Sequence, residues 1–150
     1  MVVTRPGFGS AEDETLFQLD LPFLEGAVVI GYRKAAELLL HRLANTGLRL
    51  SHSEPATCIS RQLGAAAALL ERYDEAKEHY IEAINVCTDM RFRPELALSR
   101  LGLAELLLDH YPDEKSEALE HLDFAIKEFR EMKMQPSLER ALRRKDILKA

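Results

Sequence analysis

Apolar positions along this chain keep helical time. Between residues 74 and 88, Ala76, Tyr80, Ala83, Ile84 and Cys87 fall at i, i+4, i+7, i+8 and i+11, with Glu75, Glu78, His79, Glu82 and Asn85 on the other face. Residues 115–132 repeat the pattern with Ala118, Leu122, Ala125, Phe129 and Met132, opposite Glu117, Glu120, His121, Lys127 and Glu128. An earlier copy, Ala36, Leu40, Leu43 and Ala44, closes on Asn45-Thr46-Gly47, a sequence that stops a helix. Each segment reads as an amphipathic helix with one buried stripe and one wet face.

The segments preceding two of these are apolar nearly all round. Residues 55–70 hold Cys58, Ile59, Leu63, Ala65, Ala66, Ala67, Ala68, Leu69 and Leu70; residues 94–108 hold Leu96, Ala97, Leu98, Leu101, Leu103, Ala104, Leu106, Leu107 and Leu108. A helix without a polar face must be covered on more than one side. Alternation with amphipathic helices therefore predicts stacked antiparallel hairpins, the inner helix sandwiched and the outer one half wet. Pro22, Pro55, Pro94 and Pro136 each precede a run of helix formers, which suits the first turn of a helix, where a missing N–H costs nothing. The expectation is an all-α chain: about three hairpins (about 22–47, 55–90 and 94–133) and a capping helix at about 136–148, together forming a repeat domain over 21–150. Residues 1–20, with the structure-breaking Pro6-Gly7-Phe8-Gly9-Ser10 and the acidic run Glu12-Asp13-Glu14, read as a flexible, solvated lead-in.

The copies share a period. Leu63-Gly64 and Leu101-Gly102 are 38 residues apart; Ala76-x3-Tyr80-x2-Ala83 and Ala118-x3-Leu122-x2-Ala125 are 42 apart, the difference taken up by a longer turn at His110-Tyr111-Pro112-Asp113. Ala36-x3-Leu40-x2-Leu43 lies 40 residues before the first of these. Two helices per unit at this period mark a helical repeat array. Gly64 and Gly102 are expected to let the two helices of a hairpin approach closely. The pattern of Leu-Gly in a first helix, then Ala, a large apolar residue and Ala in a second, resembles the tetratricopeptide repeat and its α-α superhelix. It departs from that repeat at Ser60 or Leu98 and at Ala67 or Glu105, where the family carries Trp and Tyr. The wording of residues 93–108, with Leu63-Gly64-Ala65-Ala66-Ala67 and Tyr73-Asp74-Glu75-Ala76, is similar to the C-terminal helical repeats of bacterial regulators. Those proteins join nucleotide-cyclase or LuxR-type output domains to signal-transducing ATPases. The resemblance implies a regulatory or sensory region and carries over no catalytic residue.

Composition adds exclusions. Leu, Ala and Glu dominate and Trp is absent, which favours helix. The net charge of −5 has the wrong sign for a default nucleic-acid binder. Two cysteines, Cys58 and Cys87, are too few for a disulfide framework and read as core thiols on apolar helix faces. No stretch approaches the ~20 apolar residues of a membrane span, and a cytoplasmic protein is expected. The histidines are scattered, with His79 and His121 on wet faces, and His110 sits in a solvated acidic turn with Asp109, Asp113 and Glu114. Neither a nucleophile–base pair nor a metal set is legible, and Gly7-Phe8-Gly9 lacks the flanking strand and helix of a phosphate loop. No enzyme, metal or cofactor is expected. The basic stretch 137–150, with Arg140, Arg143, Arg144, Lys145 and Lys149, reads first as a cap over the end of the stack, second as a surface for an acidic partner or nucleic acid.

In tetratricopeptide arrays the first helices line a groove. The resemblance implies a lining here of Cys58, Arg61, Ala65 and Leu69 with Leu96, Ser99, Leu103 and Leu107. That set lacks the cationic clamp with which some such domains hold a terminal carboxylate. The expected function is a non-catalytic protein–protein interaction or regulatory module, contacting another protein or another domain of the same regulator. The alternative is a sensor holding a small molecule or peptide in the apolar groove. An uncovered apolar groove also favours a homodimer.

Overall fold

The computed structural model describes residues 6–8, 10, 12–51 and 56–149. Among these lie seven α-helices: α1 (Phe17–Val29), α2 (Arg33–Ala44), α3 (Ile59–Leu69), α4 (Tyr73–Asp89), α5 (Arg93–His110), α6 (Lys115–Glu131) and α7 (Gln135–Lys149). Two short strands, β1 (Leu50–Ser51) and β2 (Thr57–Cys58), pair antiparallel between α2 and α3. The protein is all-α, as the periodicity predicts. Its chain divides into two compact units, Met1–His79 and Tyr80–Ala150, so α4 spans the boundary.

Four of the helix–helix junctions are built alike. At Ile30-Gly31-Tyr32, Leu70-Glu71-Arg72, Met90-Arg91-Phe92 and Met132-Lys133-Met134, the middle residue takes a left-handed φ of 71°, 64°, 53° and 57°. At each, that residue's N–H donates to the carbonyl three residues back, and the next N–H to the carbonyl five back, as Arg91 does to Thr88 (3.1 Å) and Phe92 to Cys87 (2.8 Å). This is the Schellman arrangement, which satisfies the last carbonyls of one helix. The third residue then accepts the first bond of the next helix, as Tyr32 does from Ala36 (3.1 Å) and Phe92 from Leu96 (2.9 Å). Three residues thus end one helix and start another with little conformational freedom. Only the first junction has glycine at the left-handed position; the other three carry the steric cost of a side chain there.

In the first unit, α1 packs on α2 and α3, and α2 packs on α3. Leu24, Ala36, Leu39, Leu40, Leu43, Ile59, Leu63, Ala66 and Ala67 are all at most 1% exposed. Burying one Leu or Ile side chain contributes about 1.5–3 kcal/mol. Arg33 donates to the Leu69 carbonyl (2.8 Å) and pairs with Glu71 (3.2 Å), while Arg72 reaches Glu37 (2.6 Å). These exposed pairs orient the helices more than they stabilise them. The α2 stop forms where expected: Asn45 Nδ2 donates to the His41 carbonyl (2.8 Å) and Gly47 is left-handed.

Several expected boundaries shift. Helix α1 begins at Phe17, inside the expected lead-in, so Pro22 lies within the helix and not in its first turn. Pro22 is exposed, as is Gln18, whose carbonyl loses its helical donor to the proline. Pro55 lies outside the described residues, and α3 starts only at Ile59, whose N–H donates to the Arg49 carbonyl (2.8 Å). Cys58 is therefore a strand residue, not a helical one, though buried as expected. Pro94 and Pro136 do occupy first turns.

In the second unit, α5 and α6 form a hairpin joined by Tyr111 and a 3-10 turn (Pro112–Glu114). Ala97, Leu101, Ala104, Leu122, Ala125, Ile126 and Phe129 make its core, and Ala141 of α7 joins them. Gly102 has its close neighbour in Tyr80 of α4, not in α6 as expected: a Cβ at position 102 would lie 2.5 Å from the ring's Cε1. Helix α7 is held by ion pairs as well as by Leu138, Ala141 and Leu142: Arg140–Glu105, Arg144–Asp109 (2.5 Å) and Lys145–Asp123 (2.5 Å). Its outward face carries Pro136, Glu139, Arg143 and Asp146, with the exposed Ile147 among them.

Candidate functional site

The eight expected groove positions divide between the two units and between two environments. In the first unit, Arg61, Ala65 and Leu69 follow one another at four-residue spacing along α3 and are half-buried, while Cys58 is fully buried. Beside them the Thr57 Oγ1 accepts from Arg61 Nη2 (3.4 Å) and from Gln62 Nε2 (3.4 Å), which ties the strand β2 to the first turn of α3. In the second unit, Leu96 is half-buried, whereas Ser99, Leu103 and Leu107 are at most 1% exposed. Ser99 Oγ donates to the Glu95 carbonyl (2.7 Å), so its hydroxyl is spent inside its own helix. The side chains of this set that reach the surface are thus Arg61, Ala65, Leu69 and Leu96.

Two polar clusters were not legible as such in the sequence. The first joins the N-terminal segment to α2. Arg42 pairs with Asp13 (2.5 Å) and Asp20 (3.0 Å) and donates to the Thr15 carbonyl. The carboxylates are almost completely buried, at 1% and 0% side-chain exposure. The acidic run around Asp13 is therefore not uniformly solvated: Asp13 turns inward because a guanidinium is there to meet it, while Glu12 and Glu14 stay exposed. A signal existed. Asp20 is the one charge in an otherwise apolar run from Phe17 to Leu24, apart from the polar Gln18, and a lone charge in such a run asks for a buried partner.

The second cluster sits between α5 and α6. Arg100 lies with its guanidinium 4.2 Å from the Phe124 ring centre, and its Nη1 is 3.3 Å from His121 Nδ1. A guanidinium can only donate, so Nδ1 accepts and the ring proton is assigned to Nε2, 3.5 Å from Glu117. Burial, and after it the Arg100 charge, hold the His121 pKa below its ordinary value, against the opposing pull of Glu117 and Glu120. His121 is consequently neutral and largely covered, not the wet-face residue expected. The equivalent His79 on α4 pairs with Glu75 at 3.7 Å in the same i,i+4 relation. On α6, the hydrogen bond from Arg93 Nε (2.8 Å) holds the Glu128 carboxyl below its usual range.

Both cysteines are buried thiols, and no group of three or more His, Cys, Asp or Glu among the described residues is placed to hold a metal ion. No helix among them is long and apolar enough to cross a membrane. Comparison of the chain with family models, with curated proteins and with solved structures finds no match.

Proposed function

We propose that this chain is a non-catalytic docking and regulatory module: tetratricopeptide-like helix pairs, similar to the C-terminal repeats of bacterial signalling regulators. The observation that supports this most is recurrence at the level of packing. The set at equivalent positions is buried in all three copies, small-large-small as Ala76, Tyr80 and Ala83 and as Ala118, Leu122 and Ala125, and with a large third residue as Ala36, Leu40 and Leu43, none more than 6% exposed. Each copy spends its apolar stripe on the neighbouring helix and leaves side chains of the first helix for a partner, which is how helical repeats make binding surfaces. The half-buried row Arg61, Ala65 and Leu69 on α3 is the face to which another protein, or another domain of the same regulator, would be docked as a helix or extended segment.

A photo-crosslinking amino acid at Ala65 or Leu69, in the full chain in its own cells, tests the reading. The expected result is one discrete protein adduct from these positions and none from a control at Glu131. Ala65→Arg should abolish the Leu69 adduct while leaving the helical circular dichroism unchanged. Absence of any adduct, or equal adducts from the control, would defeat the docking reading. Saturable stabilisation by a small molecule that Ala65→Arg removes would favour the sensor instead.

A further inference from the structure

Helix α1 carries large apolar residues on its exposed side as well as on its buried one, with the exposed Gln18, Pro22 and Glu25 alongside. Its inward side carries Leu21, Leu24 and Ala27, each at most 5% exposed. Its outward side carries Leu16 at the N-cap, then Leu19, Phe23, Gly26 and Ile30 at the C-cap. Four of these are large and open to solvent, at 67%, 54%, 45% and 75%, with Val29 beside them at 80%. On α7, by contrast, Ile147 is the one large apolar residue this exposed. The spacing of the outward stripe is 3-4-3-4, the repeat by which one helix seats its side chains on another helix.

Gly26 gives a second, separate reason to expect a helix there. It lies in the last turns of α1, where glycine weakens a helix relative to alanine. No close neighbour among the described residues explains it: a Cβ built on Gly26 meets none of their atoms within 4 Å. A glycine in the middle of an exposed apolar stripe suits the close approach of an incoming backbone.

We propose that this face pairs with the same face of a second copy of the chain, the two α1 helices running antiparallel about a two-fold axis near Phe23. The occupant is argued from three properties. Phe23 lies midway along the stripe, seven residues from Leu16 and seven from Ile30, so a two-fold axis there sets the Leu16 end of one copy against the Ile30 end of the other, the same patch serving both. Exposed Glu12 and Glu14 lie at the N-terminal end of α1 and exposed Lys34 just beyond its C-terminal end, so the antiparallel arrangement sets each against the opposite charge. The area fits a weak dimer: with about 150–250 Å² per large side chain, the exposed fractions of Leu16, Leu19, Phe23 and Ile30 amount to roughly 350–600 Å² per copy, the size of a weak, transient interface. The α1 pairing stands apart from the docking face on α3, and either can fail without the other.

Sedimentation equilibrium of the full chain, from about 1 μM to about 300 μM, tests it over the affinity range such an area supports. The wild-type protein is expected to pass from monomer to dimer and no further. Phe23→Glu and Ile30→Glu, both at exposed positions, should each weaken the dimer at least about tenfold. Gly26→Leu should weaken it too while leaving the monomer's helical content intact, and Ile147→Glu on α7 should change nothing. A wild-type protein that stays monomeric throughout, or that grows beyond a dimer, overturns the proposal. So does a dimer unaffected by both Phe23→Glu and Ile30→Glu.

Discussion

Gly102→Ala sets two known effects against each other, and the structure says which wins. Alanine is favoured over glycine inside a helix by about 1 kcal/mol, so on an open helix face the substitution stabilises. At position 102 the added Cβ would lie 2.5 Å from Cε1, 2.7 Å from Cζ and 3.0 Å from Oη of Tyr80. That ring is 6% exposed and has little room to withdraw. Forcing one methyl into a packed site costs about 1–3 kcal/mol, which exceeds the propensity gain over most of that range. The net expectation is a loss of about 0–2 kcal/mol. Tyr80→Leu keeps an apolar side chain but removes all three clashing atoms. In that background Gly102→Ala should reverse sign and stabilise by up to about 1 kcal/mol. Urea unfolding followed by circular dichroism, on the four proteins of the cycle, yields the coupling between the two sites directly. If Gly102→Ala stabilises both backgrounds equally, the ring does not rest on Gly102 and the reasoning is refuted.

Arg91→Gly and Lys133→Gly relieve left-handed side chains that are exposed, and each should raise the melting temperature through a gain of about 0.5–1 kcal/mol, the steric relief less glycine's extra chain entropy; a loss at both would show the junctions to be held otherwise. Arg42→Met leaves the buried Asp13 and Asp20 without their cation and should cost about 3–5 kcal/mol in urea unfolding, and a loss below about 1 kcal/mol would mean those carboxylates are solvated after all. His121 titrates lower in the folded protein than its ordinary 6.5, so the folded state binds fewer protons there than the unfolded one. Its contribution is complete above that value and declines as pH falls through the folded pKa. His121→Gln should therefore flatten the stability profile between about pH 7 and about pH 5. Loss of the depressed Glu128 carboxylate is confined to more acid conditions, because its ordinary value is 4.5, so an unchanged slope above about pH 5 in the variant would remove His121 from the account.

Much of the helical framework could be read directly from the chain. The stripes Ala76–Tyr80–Ala83 and Ala118–Leu122–Ala125 are local consequences of 3.6 residues per turn, and each is buried as its spacing requires. The stop at Asn45-Thr46-Gly47 and the first-turn prolines Pro94 and Pro136 are equally local, written in residues that touch their own backbone. What escaped were features whose partner lies far along the chain. Glu71, Arg91 and Lys133 also escaped for a local reason: they make a left-handed helix stop without the glycine that would mark it. Gly102 showed that something must come close, but only the tertiary arrangement decided that it is Tyr80. Asp13 looked like solvent-facing acid until Arg42 was placed beside it.

The expected groove divides along the same line. Periodicity cannot say which side of an all-round apolar helix meets its neighbours, since every side is equally able to be buried. On α5 the packed side includes Ser99, Leu103 and Leu107, and on α3 the side left half-open is Arg61, Ala65 and Leu69. The sequence by itself determined helix, period and the small-large-small stripes, because those depend on a residue's neighbours within one or two turns. Which faces are covered, which charges are buried and which apolar stripe on α1 remains open were decided only when distant segments packed, because burial belongs to the pair of surfaces and not to either one alone.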